Sequence, residues 1–136
     1  MSASFLDANI FIRYLTNDDP AQADRVEKLL DQAAGGGKQL LTTEMVIAEV
    51  VWVLESFYNL DNRAIGPMVK AILATPGLEV INGTLVEKAV EHYMGKNIDF
   101  IDSYIAAVME RHKVSEIFSY DKKHLARIKT IQRLEP

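Results

Sequence analysis

The sequence predicts an α/β fold in which helices cover both faces of a mostly parallel sheet. Short apolar segments with strand character alternate with longer segments of helical periodicity, an order typical of parallel strands joined by helical crossovers. The chain has 136 residues, of which 49% are apolar and 25% charged. This length and composition predict one domain over residues 1–136 and exclude an intrinsically disordered chain.

Each element follows from a local signal in the chain. Asp19 and Pro20 start a helix that ends before Gly35, and Thr42 or Thr43 caps a helix that runs to about residue 58. Further helices are predicted over about residues 10–15, 62–74 (weakened by its Gly-Pro pair), 84–94 and 99–113, with a turn or short helix over 121–127. Strands are predicted over residues 2–6, 39–41, 78–81, 116–119 and 130–134.

The composition excludes several classes of protein. There is no cysteine, which excludes disulfides, thiolate metal sites and cysteine nucleophiles and fits a cytoplasmic protein. We expect no signal peptide, because the first residues lack a basic region and a long apolar run. The most apolar stretch, residues 45–54, contains Glu49 and is too short to span a membrane, so no membrane association is expected.

The charge is unevenly distributed along the chain. The net charge is −4, which excludes a generally basic nucleic-acid binder. Residues 1–110 carry 8 basic and 16 acidic side chains, whereas residues 111–136 carry 7 basic and 3 acidic ones. This asymmetry is compatible with a cation-binding pocket beside a phosphate-binding rim, although charge alone favours ordinary surface variation.

Four acidic residues lie at positions where the apolar pattern does not predict an acidic side chain. Asp7 and Asp121 each follow a predicted strand directly, and Asp102 lies in the first turn of a helix. Glu49 lies in a helix that is apolar on nearly every face, which predicts a buried carboxylate that is protonated, paired or bound to a cation. Ordinary structural roles are the alternatives: a turn or cap for the three aspartates, and a salt bridge for Glu49 with Arg13 or Arg25.

Considered together, the four acids predict a metal site. The carboxyl ends of parallel strands meet at one edge of a sheet, so the acids converge if the first and fourth strands are neighbours. Two carboxylates about 4 Å apart repel each other by roughly 4 kcal/mol at an effective dielectric near 20, and a divalent cation removes this cost. Oxygen ligands alone suit Mg²⁺ or Mn²⁺ rather than Zn²⁺, and such a site is suited to phosphate-ester chemistry.

The same residues carry a family resemblance. In chain order, Leu6-Asp7-Ala8-Asn9-Ile10, Ala48-Glu49-Val50, the segment 99–107 (DFIDSYIAA) and Ser119-Tyr120-Asp121 resemble the four acidic motifs of PIN-domain nucleases. The chain is most similar to the small VapC-type toxins of bacterial and archaeal toxin–antitoxin pairs. The resemblance implies a three-layer α/β/α sandwich, a Mg²⁺- or Mn²⁺-dependent endoribonuclease, a homodimer and a cognate antitoxin.

The resemblance also implies roles for individual residues. By motif position, the metal-binding acidic quartet corresponds to Asp7, Glu49, Asp102 and Asp121. Asn9 matches a polar residue that follows the first aspartate, and Ser119 stands where threonine is more usual. Asp99 is an additional acid, for which a cap, a supporting group and a metal ligand all remain open. The implied reaction is attack on phosphorus by a metal-bound water, without a covalent intermediate.

Basic residues near the acids are candidate contacts for RNA phosphates. Arg13 follows the first acid, and Lys122, Lys123 and Arg127 follow the last one. Mobile cations at this position would give salt-dependent RNA binding. A solvated basic face is the alternative for each of them.

The remaining candidate residues receive structural interpretations. His92, His112 and His124 follow no metal-ligand spacing, so each is predicted to be a surface or packing residue. Trp52 shares a helix face with Ala48. The helix therefore has apolar side chains on a second face, in addition to the face that packs against the core. A dimer or antitoxin contact would cover it, and so would a helix over residues 65–73.

Two other functions remain open at the level of sequence. One is a phosphatase of the haloacid-dehalogenase kind with Asp7 as nucleophile, although Asn9 occupies the place of its general acid and no cap domain is visible. The other is a non-catalytic domain of the same fold that binds RNA or a protein. The intact acidic quartet argues against this second alternative.

Overall fold

Short parallel strands form two sheets in the computed structural model, which describes residues 3–136. The chain divides into two compact units, the first ending at Gly83 and the second covering Thr84–Pro136. The α/β class with parallel strands is confirmed. The prediction of one domain stays a prediction, and Ser2, where the first strand was expected to begin, lies outside the described residues.

The first unit contains a three-stranded sheet and four helices. The strands are β1 (Ala3–Phe5), β2 (Gln39–Thr43) and β3 (Leu78–Ile81), paired in that order, with Ala3 opposite Gln39 and Leu40 opposite Leu78. The helices are α1 (Ala8–Thr16), α2 (Pro20–Ala34), α3 (Glu44–Ser56) and α4 (Asn62–Leu73).

Side-chain caps fix the starts of three of these helices. Asp19 accepts a hydrogen bond from the Gln22 N–H, Thr43 from that of Val46, and Asp61 from that of Ala64. The cap of α3 is therefore Thr43, one of the two predicted threonines. Helix α4 runs through Pro67, which is exposed. The weakening predicted there does not break the helix, because water can satisfy the carbonyl that loses its partner.

The loop before β3 depends on one glycine. Gly77 has a φ of +78°, and a Cβ atom at this position would lie 2.4 Å from the carbonyl oxygen of Ala33. Only a residue without a side chain allows this approach. The contact fixes the loop against the end of α2.

The second unit contains two helices and a two-stranded parallel sheet. Its elements are α5 (Gly83–Gly95), α6 (Phe100–Arg111), β4 (Glu116–Phe118), a 3₁₀ helix (Leu125–Arg127) and β5 (Gln132–Leu134). Glu116 lies opposite Gln132. A small apolar cluster of Ile98, Ala106 and Ile128 joins the start of α6 to the segment after the 3₁₀ helix.

The strand pairing differs from the single sheet expected. Within residues 3–136, β1 pairs with β2 in a three-stranded sheet, and β4 pairs with β5 in a two-stranded one. Local sequence pattern identifies strands, but it does not specify which distant strand each will pair with. No helix within the described residues is long and apolar enough to span a membrane.

Candidate active site

Asp7 lies where β1 turns into α1. It is the N-cap residue of α1, and its carboxylate accepts a hydrogen bond from the Ala8 N–H at 2.7 Å. The buried hydroxyl of Thr42 donates to the carbonyl of Leu6 at 3.0 Å and so holds the backbone just before Asp7. The residue is exposed. Asp7 therefore has the cap role that the sequence offered, together with a carboxylate that solvent can reach.

Asn9 and Arg13 line a groove of about 470 Å³ along α1 and α2. The Arg13 guanidinium donates to the side chain of Gln22 at 2.8 Å and to that of Asp18 at 3.4 Å. The Tyr58 hydroxyl donates to Asp18 at 2.5 Å, which lowers the pKa of that carboxyl. Arg13 thus takes part in an exposed polar network. Such exposed pairs contribute little stability, so Arg13 can exchange them for a phosphate.

Glu49 is exposed, and the prediction that it is buried is wrong. The buried stripe of α3 consists of Ile47, Val50, Val51 and Leu54, at the spacing of one helix face. Glu49 lies off this stripe, and it has no ion pair within residues 3–136, so the predicted salt bridge to Arg13 or Arg25 is also absent there. A helix that is apolar all round does not reveal which stripe will be covered.

Large apolar side chains of α3 and its C-cap remain exposed. Met45 is 74% exposed, Trp52 65% and Phe57 73%. Helix α4 packs against α3, yet Trp52 stays largely uncovered. The interpretation that α4 covers Trp52 is therefore wrong, and a contact with another protein stays a prediction.

Asp99 and Asp102 lie at the start of α6. Asp99 occupies the N-cap position, but its side chain makes no capping hydrogen bond, so the side-chain cap is excluded as its role. Its carbonyl accepts a hydrogen bond from the hydroxyl of the buried Ser103 at 2.9 Å. Asp102 lies in the first turn and is half-buried, with Ala106 and Met109 of the same helix buried.

Asp121 occupies a tight turn after β4. Its N–H donates to the Ser119 hydroxyl at 3.0 Å, and its carboxylate accepts the Lys123 N–H at 2.8 Å. This is the turn role that aspartate commonly fills. The Lys123 N–H lowers the pKa of Asp121 most, and the backbone N–H of His124 lowers it further. Asp121 is exposed and stays ionised.

Asp99 and Asp121 act electrostatically on Asp102, and we name these three residues the acid cluster of the second unit, although they are not gathered closely enough to hold a metal ion by themselves. Burial raises the pKa of Asp102, and the negative charges of Asp99 and Asp121 raise it further. His124 opposes this rise only when its ring is protonated, and in that state Nδ1 cannot accept the Asp99 N–H. The carboxyl of Asp102 is thus in the field of two like charges, and a cation near it would stabilise its ionised form.

His124 belongs to this region, and sequence reasoning missed it. Its Nδ1 accepts a hydrogen bond from the Asp99 N–H at 3.0 Å. The predicted surface or packing role suits the other histidines: His92 contacts Glu110 at 2.5 Å, and His112 is exposed. The one available signal was position, because His124 follows Asp121 by three residues in a segment that leaves a strand end.

Basic residues surround the turn that holds Asp121. Lys122 and Lys123, which directly follow Asp121, are both exposed. The Arg127 guanidinium donates to the carbonyl of Asn97, so this predicted RNA contact also has a structural partner. The two lysines are the more available cations of the segment.

The Asp, Glu and His side chains of each unit are the possible ligands of a divalent cation. Over residues 3–136, neither unit by itself gathers three Asp, Glu or His side chains closely enough to hold a metal ion. The acid cluster offers carboxylate oxygens, the donors that Mg²⁺ and Mn²⁺ prefer. The donor atoms therefore suit such an ion, although within each unit the described positions do not form a complete set of ligands.

Comparisons with known proteins give a family match and similar individual proteins. The family model described as "PIN domain" matches residues 4–130. A curated relative, the VapC ribonuclease of Aquifex aeolicus (strain VF5), is 21% identical over 118 residues, which cover 87% of each chain. A solved structure, Mycobacterium tuberculosis VapC20, titled a sarcin–ricin loop cleaving toxin, is 19% identical with a TM-score of 0.39, covering 97% of this chain and 98% of that one. On the family match, which spans nearly its whole length, the chain belongs to the PIN domain family.

Proposed function

We propose that this chain is an endoribonuclease that hydrolyses RNA phosphodiester bonds with Mg²⁺ or Mn²⁺, and that it is the toxin of a toxin–antitoxin pair. The observation that carries the proposal is the PIN domain match over residues 4–130, which contains all four acidic motifs. The similarity to a relative named a VapC ribonuclease supports it.

The proposed catalytic residues are Asp7 and Glu49 of the first unit and Asp102 and Asp121 of the second. We propose that their carboxylates hold the cation. A bound Mg²⁺ or Mn²⁺ supplies a Lewis acid that polarises a phosphoryl oxygen and lowers the pKa of the attacking water. Asn9, Ser119 and Asp99 are proposed as supporting groups close to these acids in sequence.

The acids of the second unit differ in how readily their carboxyl groups ionise. Asp121 is kept ionised by the N–H groups of its own turn, and the Ser119 hydroxyl fixes that turn. Asp102 loses its proton less readily because of burial and its neighbours' charges. The pKa of Asp121 is therefore lowered and that of Asp102 raised, so positive charge nearby favours ionisation of Asp102 in particular.

The RNA backbone is proposed to bind along the basic segment after β4. Lys122 and Lys123 are exposed beside Asp121, and Arg127 lies in the same segment. Their charges would hold phosphates next to the acids, and Arg13 is proposed to do so beside Asp7. Binding of this kind weakens with salt because it releases condensed counterions.

We further propose that the chain forms a homodimer and binds a cognate antitoxin. The exposed apolar side chains of Met45, Trp52 and Phe57 support a protein contact. Light scattering of the purified chain should give twice the mass of one chain, with Trp52→Ser shifting it toward one chain and Tyr14→Ser leaving it unchanged. A chain that is monomeric at all concentrations would contradict the homodimer.

A non-catalytic RNA- or protein-binding domain is the second candidate. It is favoured by the exposure of Glu49 and by the absence, in either described unit, of three acids gathered closely enough for a metal. The haloacid-dehalogenase alternative gains nothing from the structure, and the family match is to a different family.

The deciding experiment is cleavage of end-labelled RNA by the purified chain, with Mg²⁺, with Mn²⁺ and with EDTA. We expect cleavage inside the RNA that stops with EDTA and in the Asp7→Asn, Asp102→Asn double variant. The exposed Asp24→Asn serves as a matched control that cleaves normally. Persistent cleavage by the folded double variant, or none by the wild type, would contradict the proposal, and the latter would favour the non-catalytic candidate.

A further inference from the structure

We infer that His124 is a positioning residue, which accepts the Asp99 N–H and thereby holds the turn of Asp121 beside the start of α6. The role of His124 toward a bound cation rests on the proposed function. The hydrogen bond between His124 and Asp99 is independent of it, because it is a contact within the second unit.

The contact satisfies a backbone group that a helix cannot satisfy itself. Asp99 is the N-cap residue of α6, and the first N–H groups of a helix lack partners within it. The Asp99 N–H donates to Nδ1 of His124 at 3.0 Å. An accepting Nδ1 carries no proton, so the neutral ring has its proton on Nε2.

Two further contacts join the same segments and restrict their movement. The Arg127 guanidinium donates to the carbonyl of Asn97, and Ile128 packs in one apolar cluster with Ile98. These contacts fix the far end of the segment that follows Asp121. His124 is the nearest of these anchors to Asp121, since it lies three residues away and its own N–H also bonds that carboxylate.

The His124 contact holds Asp121 near an acid that it repels. Asp99 and Asp121 both act on Asp102 as like charges. Without a cation, this repulsion favours separation of the Asp121 turn from α6. The His124 bond opposes the separation, so the acids are already placed when a cation arrives and less ordering is needed on binding.

The test compares His124→Ala with His124→Asn, whose amide oxygen can occupy the place of Nδ1. The exposed His112→Ala is the matched control. We expect His124→Ala to lower Mn²⁺ affinity, measured by calorimetry with MnCl₂, by roughly 10- to 100-fold, the usual effect of losing a group that supports metal ligands. His124→Asn should retain most of the affinity, and His112→Ala all of it.

A nuclear magnetic resonance readout tests the contact without metal or RNA. In the wild type at a pH where histidine is neutral, the ring of His124 should carry its proton on Nε2. The Asp99 amide should exchange slowly with solvent and should lose this protection in His124→Ala. Circular dichroism checks that each variant is folded. If His124→Ala does not fold, the exchange rate of the Asp99 amide in His124→Asn tests the contact, and slow exchange is the expected result.

The outcomes separate this inference from the proposed function. A proton on Nδ1, or a folded His124→Ala with unchanged Asp99 protection and Mn²⁺ affinity, would overturn the inference. A wild-type chain that neither binds Mn²⁺ nor cleaves RNA would overturn the proposed function, and with it the role of His124 toward the cation. The His124 tautomer and the exchange rate of the Asp99 amide would still test the hydrogen bond between these two residues.

Discussion

The two units present their acidic residues in different electrostatic environments. Asp7 and Glu49 of the first unit are exposed and have no ion pair within residues 3–136. In the second unit, Asp102 is half-buried and lies in the field of Asp99 and Asp121. A bound cation therefore has more repulsion to relieve in the second unit. The units should respond differently when an acid is neutralised.

The largest expected effect is loss of RNA cleavage in Asp102→Asn. We expect the rate to fall by more than roughly 100-fold, beyond the range usual for groups that only support metal ligands. The melting temperature should stay the same or rise, because the change removes a charge that Asp99 and Asp121 repel. Cleavage assays and thermal melts, with Asp24→Asn as control, test this. A large loss of stability would contradict the repulsive environment assigned to Asp102.

Glu49→Gln should separate activity from stability in the first unit. Because Glu49 is exposed, the free energy of unfolding should change by less than about 0.5 kcal/mol, as at most surface positions. Cleavage should still fall by roughly 10-fold or more if the carboxylate binds the cation. Denaturant unfolding and cleavage assays are compared with Glu27→Gln, an exposed residue of α2. Strong destabilisation would instead support the buried position that the sequence predicted.

Two substitutions of Asp7 should distinguish its cap role from its catalytic role. Asparagine caps helices as well as aspartate does, whereas alanine loses about 1 kcal/mol. Asp7→Asn should therefore keep the stability of the wild type and lose cleavage, while Asp7→Ala loses both. Equal cleavage by Asp7→Asn and the wild type would leave Asp7 with the cap role alone.

Smaller effects are expected from the lysines beside Asp121. Lys122→Ser and Lys123→Ser should each raise the KM for RNA a few-fold and reduce the slope of log affinity against log salt by about 1. The rate at saturating RNA should change little, and Lys28→Ser on α2 serves as control. An unchanged salt slope in both variants would remove these lysines from the RNA surface.

Local signals in the sequence predicted most of the elements. The cap at Thr43, the start of α2 after Asp19 and the strand over Leu78–Ile81 follow from residues within a few positions. The acidic motifs were identified for the same reason, since each is a short segment. What depends on distant parts of the chain was not predicted as well.

Glu49 and His124 show what the local sequence could not predict. The helix of Glu49 is apolar on nearly every face, and only packing decides which stripe is covered. His124 contacts a backbone N–H 25 positions away, and no residue pattern encodes that bond. Both depend on contacts between distant parts of the chain, which also determine that β1 pairs with β2 and β4 with β5.

The central claim is that burial and the charges of Asp99 and Asp121 disfavour the ionised carboxyl of Asp102, and that a divalent cation would favour it. Its most direct test is a carbon-13 resonance titration of the Asp102 carboxyl, with and without Mg²⁺. We expect a pKa above the ordinary value of 3.8 without metal, because burial and the charges of Asp99 and Asp121 disfavour ionisation. Mg²⁺ should lower this pKa. A pKa at or below 3.8 that does not respond to Mg²⁺ would contradict the account.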